Sequence, residues 1–164
     1  MSTELRVEEI YPYARERVWR ALTNSRAMAD WLMPNNFEPR VGHQFEMRTK
    51  PAPGFDGIVR CEVTTLEPPS RLAFTWCGGG NETLVTFTLE SVEQGTRLVL
   101  VHSGFSGLKG WMVSKILGSG WRSKILHVYL PAAIGRINET GYTPATPEDQ
   151  LTCAKDSTAL DVKR

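Results

Sequence analysis

Chemistry in this chain would have to start from a few histidines, cysteines, serines and carboxylates, and their spacing limits what they can do. The three histidines, His43, His102 and His127, stand far apart and lack metal-ligand spacing. His102 alternates with Leu98 and Leu100, so its ring is expected to point inward. There it is either a general acid–base or a buried neutral imidazole held by a hydrogen-bond partner. Ser103 and Ser106 follow it, yet no Gly-x-Ser-x-Gly elbow and no third orienting group accompany them. The three cysteines, Cys61, Cys77 and Cys153, are odd in number, widely spaced and free of any CxxC. They read as reduced thiols, neither a disulfide framework nor a zinc site. Glu46, Glu62 and Glu82 fall on alternating segments and could lend a carboxylate to an interior, although strand alternation favours solvent for each. No pair of groups with visibly separated environments is present, so no acid–base pair is defined. Gly78-Gly79-Gly80-Asn81 lies between two strands, with no helix and no Lys-Ser/Thr pair following it. It is expected to be a hairpin loop, not a phosphate cradle.

The chain that positions these groups has 164 residues, 41% of them hydrophobic, and 19 Lys+Arg against 18 Asp+Glu. Composition of this kind excludes disorder as the main reading and suits one globular domain. A domain of this length buries roughly 70% of the surface its unfolded chain exposes. It needs no metal or disulfide to be stable, and its core can enclose a cavity. The near-neutral balance leaves no basic face for nucleic acid. Met1 to Arg6 holds Glu4 and Arg6 and no apolar run, so no signal peptide is expected. Nothing approaches the roughly 18 consecutive apolar residues of a membrane span. Together with reduced thiols, these features point to a cytoplasmic protein.

Periodicity sets the elements. Glu4 to Tyr11 alternates Leu5 and Val7 against Arg6 and Glu8, a half-buried strand that Pro12 ends. Ala14, Val18, Ala21 and Leu22 share one helical stripe, and Asn24 or Ser25 caps a second short helix carrying Ala27, Met28, Trp31 and Leu32. A series of strands follows: Phe45 and Met47 in one, then Ile58 to Leu66, Arg71 to Cys77, Leu84 to Leu89, and Arg97 to His102. Short turns between them imply an antiparallel sheet. From Ser119 onward a long helix is expected, because Trp121, Ile125, Val128, Tyr129 and Ala132 fall at i, i+4, i+7, i+8 and i+11. Pro131 conflicts with it and predicts a kink near Leu126 to Tyr129, or a helix that ends and restarts there. Gly141 to Arg164 reads as an extended polar tail, with a short helix near 147–154 that Thr146-Pro147-Glu148-Asp149 can start.

The run Ile10-Tyr11-Pro12-Tyr13-Ala14-Arg15-Glu16-Arg17-Val18-Trp19-Arg20-Ala21-Leu22-Thr23 resembles the start of the START-like, or SRPBCC, helix-grip superfamily. Within it the chain is similar to bacterial homologues of the activator of the heat-shock chaperone ATPase. Trp31-Leu32, Phe37-x-Pro39-x-x-Gly42, Pro69-x-x-Leu72-x-Phe74-x-Trp76, Val85-x-Phe87-x-Leu89, Gly95-Thr96-x-Leu98 and Gly120-Trp121 extend the resemblance over about the first 135 residues. The resemblance implies an α+β helix-grip domain over residues 1–138. A curved antiparallel sheet of about six or seven strands would wrap a long C-terminal helix, with two short helices after the first strand and a polar tail over 139–164. It also implies a largely apolar cavity between sheet and helix, since members bind lipids, sterols, polyketides or other hydrophobic molecules, and some are cyclases or hydrolases.

Large aromatic and apolar residues on facing elements agree with such a cavity. Trp31, Phe45, Met47, Trp76, Phe87, His102, Trp121, Ile125 and Tyr129 are the expected lining, because Trp and Tyr bring a large apolar area with one polar handle. The expected partner is a hydrophobic small molecule, with no cofactor, no metal and no nucleic acid. An enzyme using the same cavity, with His102 as its titrating group, is the alternative. A homodimer through an exposed strand edge or the aromatic helix face is compatible with the pattern. A chaperone partner is not expected, because the eukaryotic activators carry an additional N-terminal domain and this chain starts almost at the first strand.

Overall fold

Alternating segments of the sequence pair into one curved antiparallel sheet of six strands. A computed structural model describes residues 2–144; Cys153 and the helix expected near 147–154 lie outside the described residues. The elements run β1 (Ser2–Tyr11), α1 (Arg15–Thr23), α2 (Ser25–Trp31), β2 (Gln44–Arg48), β3 (Ile58–Glu67), β4 (Arg71–Gly78), β5 (Asn81–Val92) and β6 (Gly95–Ser106). The strand order is β1-β6-β5-β4-β3-β2, so β2 to β6 form a meander and β1 closes beside β6. In β5, Val85, Phe87 and Leu89 point into the core while Leu84 and Thr88 face out, the period-2 pattern of a half-buried strand. Gly78 pairs with Asn81 across a two-residue turn in which Gly79 and Gly80 have φ of +61° and +82°. Two consecutive positive φ values are what a primed hairpin turn requires and what glycine supplies.

The two short helices cross from β1 at one edge to β2 at the other. Asn24 caps α2 by accepting the Ala27 backbone N–H at 3.1 Å. From α1, the Arg17 guanidinium donates to the carbonyls of Ile134, Gly135 and Ile137 at 3.1, 3.1 and 3.0 Å. It satisfies acceptors that the end of a helix leaves without partners.

That end belongs to a helical run of 29 residues laid across the sheet: α3 (Gly107–Gly120), a π-helical segment (Trp121–Tyr129) and α4 (Leu130–Gly135). It starts twelve residues earlier than the expected Ser119. The expected 3.6-residue stripe also changes. From Trp121 onward the buried helical positions are Trp121, Leu126, Leu130, Ala133 and Ile134, whereas Ile125, Val128, Tyr129 and Ala132 are half-buried. The cause is the wider π turn, whose i to i+5 bonds move the inward face from Trp121 to Leu126.

Pro131 accounts for the position of that turn. The Leu130 N–H donates to the Ile125 carbonyl, five residues back. The next bond of the series would run from residue 131 to the Leu126 carbonyl, but proline has no N–H. The Tyr11 hydroxyl, from β1, donates to that carbonyl at 2.6 Å instead. The distortion expected near Leu126 to Tyr129 is present as a π segment, with a tyrosine in the proline's missing role. A two-strand hairpin follows, β7 (Ile137–Asn138) and β8 (Gly141–Tyr142), the second strand in the segment read from sequence as the start of the tail. The Tyr142 hydroxyl is hydrogen-bonded to the Asp30 carboxylate of α2.

Candidate functional site

Where the β2–β3 loop, the Gly79–Gly80 turn and α3 converge, the fold leaves a cavity of about 450 Å³. Each wall follows from local chemistry. Pro53 and Gly54 form the tip of a tight turn closed by reciprocal backbone bonds between Ala52 and Phe55, both 2.9 Å, and this carries the Phe55 ring to the cavity. Val59 and Trp76 come from the inward faces of β3 and β4, Leu32 and Met33 from the end of α2. Val113, Leu117 and Ile125 come from the long helix. Thr49, Asn81 and Lys109 are the polar side chains of the wall. The Lys109 ammonium donates to the Gly79 carbonyl at 3.0 Å, tying the first turn of α3 to the hairpin. Volume and lining fall in the ordinary range for a small-molecule pocket.

Behind Trp76 lies a chain of buried polar groups whose protons can all be assigned. The Thr83 hydroxyl donates to the Trp76 carbonyl at 2.7 Å. Its lone pair therefore accepts from His102 Nε2, 2.8 Å away. The Trp121 indole N–H donates to His102 Nδ1 at 3.3 Å. His102 is thus neutral, protonated on Nε2, and fully buried. A proton added to Nδ1 would face the Trp121 N–H, donor against donor. Burial pushes the imidazole pKa from the usual 6.5 to about 3.

The sequence left two roles open for His102, a titrating group of an enzyme site or a buried neutral imidazole held by a hydrogen-bond partner, and the geometry is that of the second. The ring touches Phe105, Trp76 and Trp121, with centroids 4.6, 5.3 and 6.3 Å away. Both ring nitrogens are used, so it holds Trp76 in the cavity wall and is no acid–base group.

A pH dependence follows. The unfolded chain takes up the His102 proton near pH 6.5, the folded chain only near pH 3. Stability from this group is therefore full above about pH 6.5 and is lost as pH falls toward 3. At about 1.4 kcal/mol per pH unit, roughly 2–3 kcal/mol is gone by pH 4.5. Urea unfolding of the wild type and His102→Gln checks this: the stability gap between them should narrow by that amount between pH 7.5 and 4.5. A constant gap would remove His102 from the acid limb.

Of the nine residues expected around one cavity, Trp76 and Ile125 line it. Trp31, Met47 and Phe87 are fully buried, and Phe45 and Trp121 nearly so. They build the aromatic core beneath the cavity: Trp31 meets Phe87 edge to face at 6.0 Å, Phe45 meets Phe74 at 5.4 Å, and Trp121 joins Phe87 to Trp76 at 6.1 and 5.7 Å. Trp31 donates its indole N–H to the Ala21 carbonyl at 2.9 Å. Tyr129 is half-buried against the core and away from the cavity wall. Glu46, Glu62 and Glu82 come together elsewhere, in a groove with Arg60 and Cys77. His43 stacks on Phe45, and His127 pairs with Glu9 at 3.2 Å. Among the described residues no three His, Cys, Asp or Glu side chains cluster as metal ligands.

Lys109, Val113, Leu117, Phe55 and Thr83 were missed. The first three lie before the expected helix start, and Phe55 sits in a Pro/Gly loop. Thr83 did carry a signal, as a polar residue in the inward series that Val85, Phe87 and Leu89 continue.

This arrangement, a sheet gripping one long helix over a cavity, is matched by the comparison with known families. The family model for Activator of Hsp90 ATPase homolog 1-like proteins (AHSA1) matches residues 12–124. The chain belongs to that family. The AHSA1-like match runs from Pro12, just after β1, into the π segment, and so includes Thr83, His102, Trp121 and every wall residue except Ile125. The START-like resemblance read from the sequence agrees with it. The chain is similar to the crystal structure of protein MLL2253 from Mesorhizobium loti, at 30% identity and a TM-score of 0.71, covering 83% of this chain and 99% of that one. It is similar to the solution structure of Bacillus halodurans protein BH1534, at 30% identity and a TM-score of 0.60, over 73% and 88% of the two chains. It is also similar to DynU16, a protein of the dynemicin biosynthetic locus, at 26% identity and a TM-score of 0.67, covering 85% of this chain and 49% of that one. No curated protein sequence shows significant similarity to the chain. No helix among the described residues is long and apolar enough to cross a membrane.

Proposed function

We propose that this AHSA1-like protein binds a hydrophobic small molecule, of lipid, sterol, polyketide or other aromatic type, in the cavity between sheet and helix. The observation that carries the reading is the cavity of about 450 Å³ with Leu32, Met33, Phe55, Val59, Trp76, Val113, Leu117 and Ile125 in its wall. Apolar surface of this extent would release ordered water on binding a matching shape. The few polar groups, Thr49, Asn81 and Lys109, would orient the ligand. DynU16, the relative from the dynemicin biosynthetic locus, is in keeping with a small-molecule ligand. The free thiols of Cys61 and Cys77 support a cytoplasmic setting. An enzyme of cyclase or hydrolase type would need an acid–base group at the wall, and the buried neutral His102 does not supply it.

The test is a thermal-shift screen against fatty acids, sterols and aromatic polyketides. A binder at a hundredfold excess over Kd should stabilise the protein by about 2.7 kcal/mol. Val113→Trp, which fills the cavity from the helix side, should weaken that binder at least tenfold. Failure of every class to raise Tm, or an unchanged rise in Val113→Trp, would overturn the reading.

A further inference from the structure

The first turns of α3 place their residues in an unusual order. Gly110, Ser114 and Gly118 form the buried stripe, at a spacing of four. A Cβ on Gly110 would come within 3.1 Å of the Phe105 backbone, and one on Gly118 within 3.7 Å of Leu5. The helix therefore rests close on β1 and β6 with small residues inward. Its bulky apolar residues cannot turn that way. Leu108, Trp111, Met112 and Ile116 are 75%, 49%, 55% and 72% exposed, at i, i+3, i+4 and i+8, which puts them on one outer stripe. A contiguous exposed apolar stripe of this kind marks an interaction surface.

Charge identifies the partner. From Gly107 to Gly135 the helical run contains Lys109, Lys115, Arg122 and Lys124 and no Asp or Glu. None of these four cations is in a salt bridge among the described residues. The Lys115 ammonium lies 5.6 Å from the Trp111 ring centroid. With a whole-chain net charge of only +1, the rest of the protein is net negative and the helix is the cationic side.

We propose that α3 docks on an anionic lipid surface, lying in the interface with Leu108, Trp111, Met112 and Ile116 among the acyl chains and Lys115, beside Trp111, at the headgroups. Exposed apolar bulk, an interfacial tryptophan and unopposed lysines on one helix are what such docking uses. A second copy of the chain fits less well. A two-fold contact through this face would set Lys115 near its own copy with no acid in the helix to offset it. Lys109, Val113 and Leu117 also line the cavity, so the docked helix is a cavity wall. Docking itself does not require the cavity to be occupied.

The test is co-sedimentation of the full chain with vesicles of equal parts phosphatidylglycerol and phosphatidylcholine, and with phosphatidylcholine alone. The expected result is at least tenfold stronger partition to the anionic vesicles, falling when salt is raised to about 0.5 M. Trp111→Glu/Ile116→Glu should lose at least tenfold while keeping the wild-type Tm, since both residues are exposed. Lys115→Glu, which alters no buried contact, should lose about fivefold and serves if the double variant is unstable. Three results would overturn the proposal: no partition to anionic vesicles, partition undiminished in these variants, or a lipid-free dimer in sedimentation velocity that Trp111→Glu/Ile116→Glu abolishes. Because no cavity ligand is added, a failed ligand screen leaves this outcome unaffected.

Discussion

His102→Ala is expected to destabilise the protein by about 3–5 kcal/mol, from the void left by a large buried side chain and an unsatisfied Trp121 N–H. The ring is fully buried and bridges the helix to two strands: Trp121 donates to it, and it donates to Thr83, which holds the Trp76 carbonyl. Alanine removes the middle of this chain. The Thr83 hydroxyl keeps its bond to Trp76, but the Trp121 indole N–H is left facing a void. His102→Gln, with one acceptor and one donor, should recover part of the loss. Equilibrium urea unfolding followed by tryptophan fluorescence measures both. A cost below about 1 kcal/mol for His102→Ala would mean that the ring contributes little to holding the cavity wall.

Gly95→Ala should be comparably severe for a different reason. Gly95 has φ +137°, and a Cβ there would lie 2.1 Å from the Tyr11 carbonyl oxygen and 2.9 Å from the Tyr13 nitrogen. Backbone, not a flexible side chain, occupies the space, so the end of β1 must move. Strained backbone costs about 1–3 kcal/mol and the overlap about as much again, giving roughly 2–6 kcal/mol. Tyr11 moves with β1, and its hydroxyl is the donor to the Leu126 carbonyl opposite Pro131. Gly80→Ala separates the contributions, because Gly80 has φ +82° with nothing within 4 Å of the new Cβ. It should show the backbone cost alone. Equal losses of Tm in the two variants would contradict the close approach at Gly95.

Strands were readable because a two-residue period with β-branched and aromatic residues leaves little choice. Leu84 to Leu89 has its expected faces, and the Gly79–Gly80 turn has the positive φ values its composition requires. Pairing over long distance was not readable in this way. Nothing local in Glu4 to Tyr11 says that β1 lies beside β6 at the far edge. The helix was readable in place but not in pitch. A template of 3.6 residues per turn assigns Ile125 and Tyr129 to the inner face, and the π segment gives that place to Leu126. Pro131 carried the warning, since a missing donor must be made good somewhere; that Tyr11 does so is a tertiary fact. The cavity was the least legible part. Its wall draws on a loop, a turn and a helix start, as with Phe55, Gly79 and Lys109, and convergence of such segments depends on the whole fold.

The wide turns at Trp121–Tyr129 make residue count itself a structural variable. A π run accommodates more residues per turn than an α-helix, so it behaves as an insertion absorbed without breaking the helix. Deleting one residue within it would let the bonding revert to the α pattern, the narrower turns offsetting most of the lost residue's rotation, whereas the same deletion at Ser119, in the α-helical stretch, would rotate everything upstream by about 100° about the axis. In the second case the Gly110–Ser114–Gly118 stripe would leave the sheet, and Val113 and Leu117 would leave the cavity. A single codon lost at Ser119 would thus re-index one whole wall of the protein, although each residue in that wall remained unchanged, while one lost between Trp121 and Tyr129 would leave that wall nearly in place.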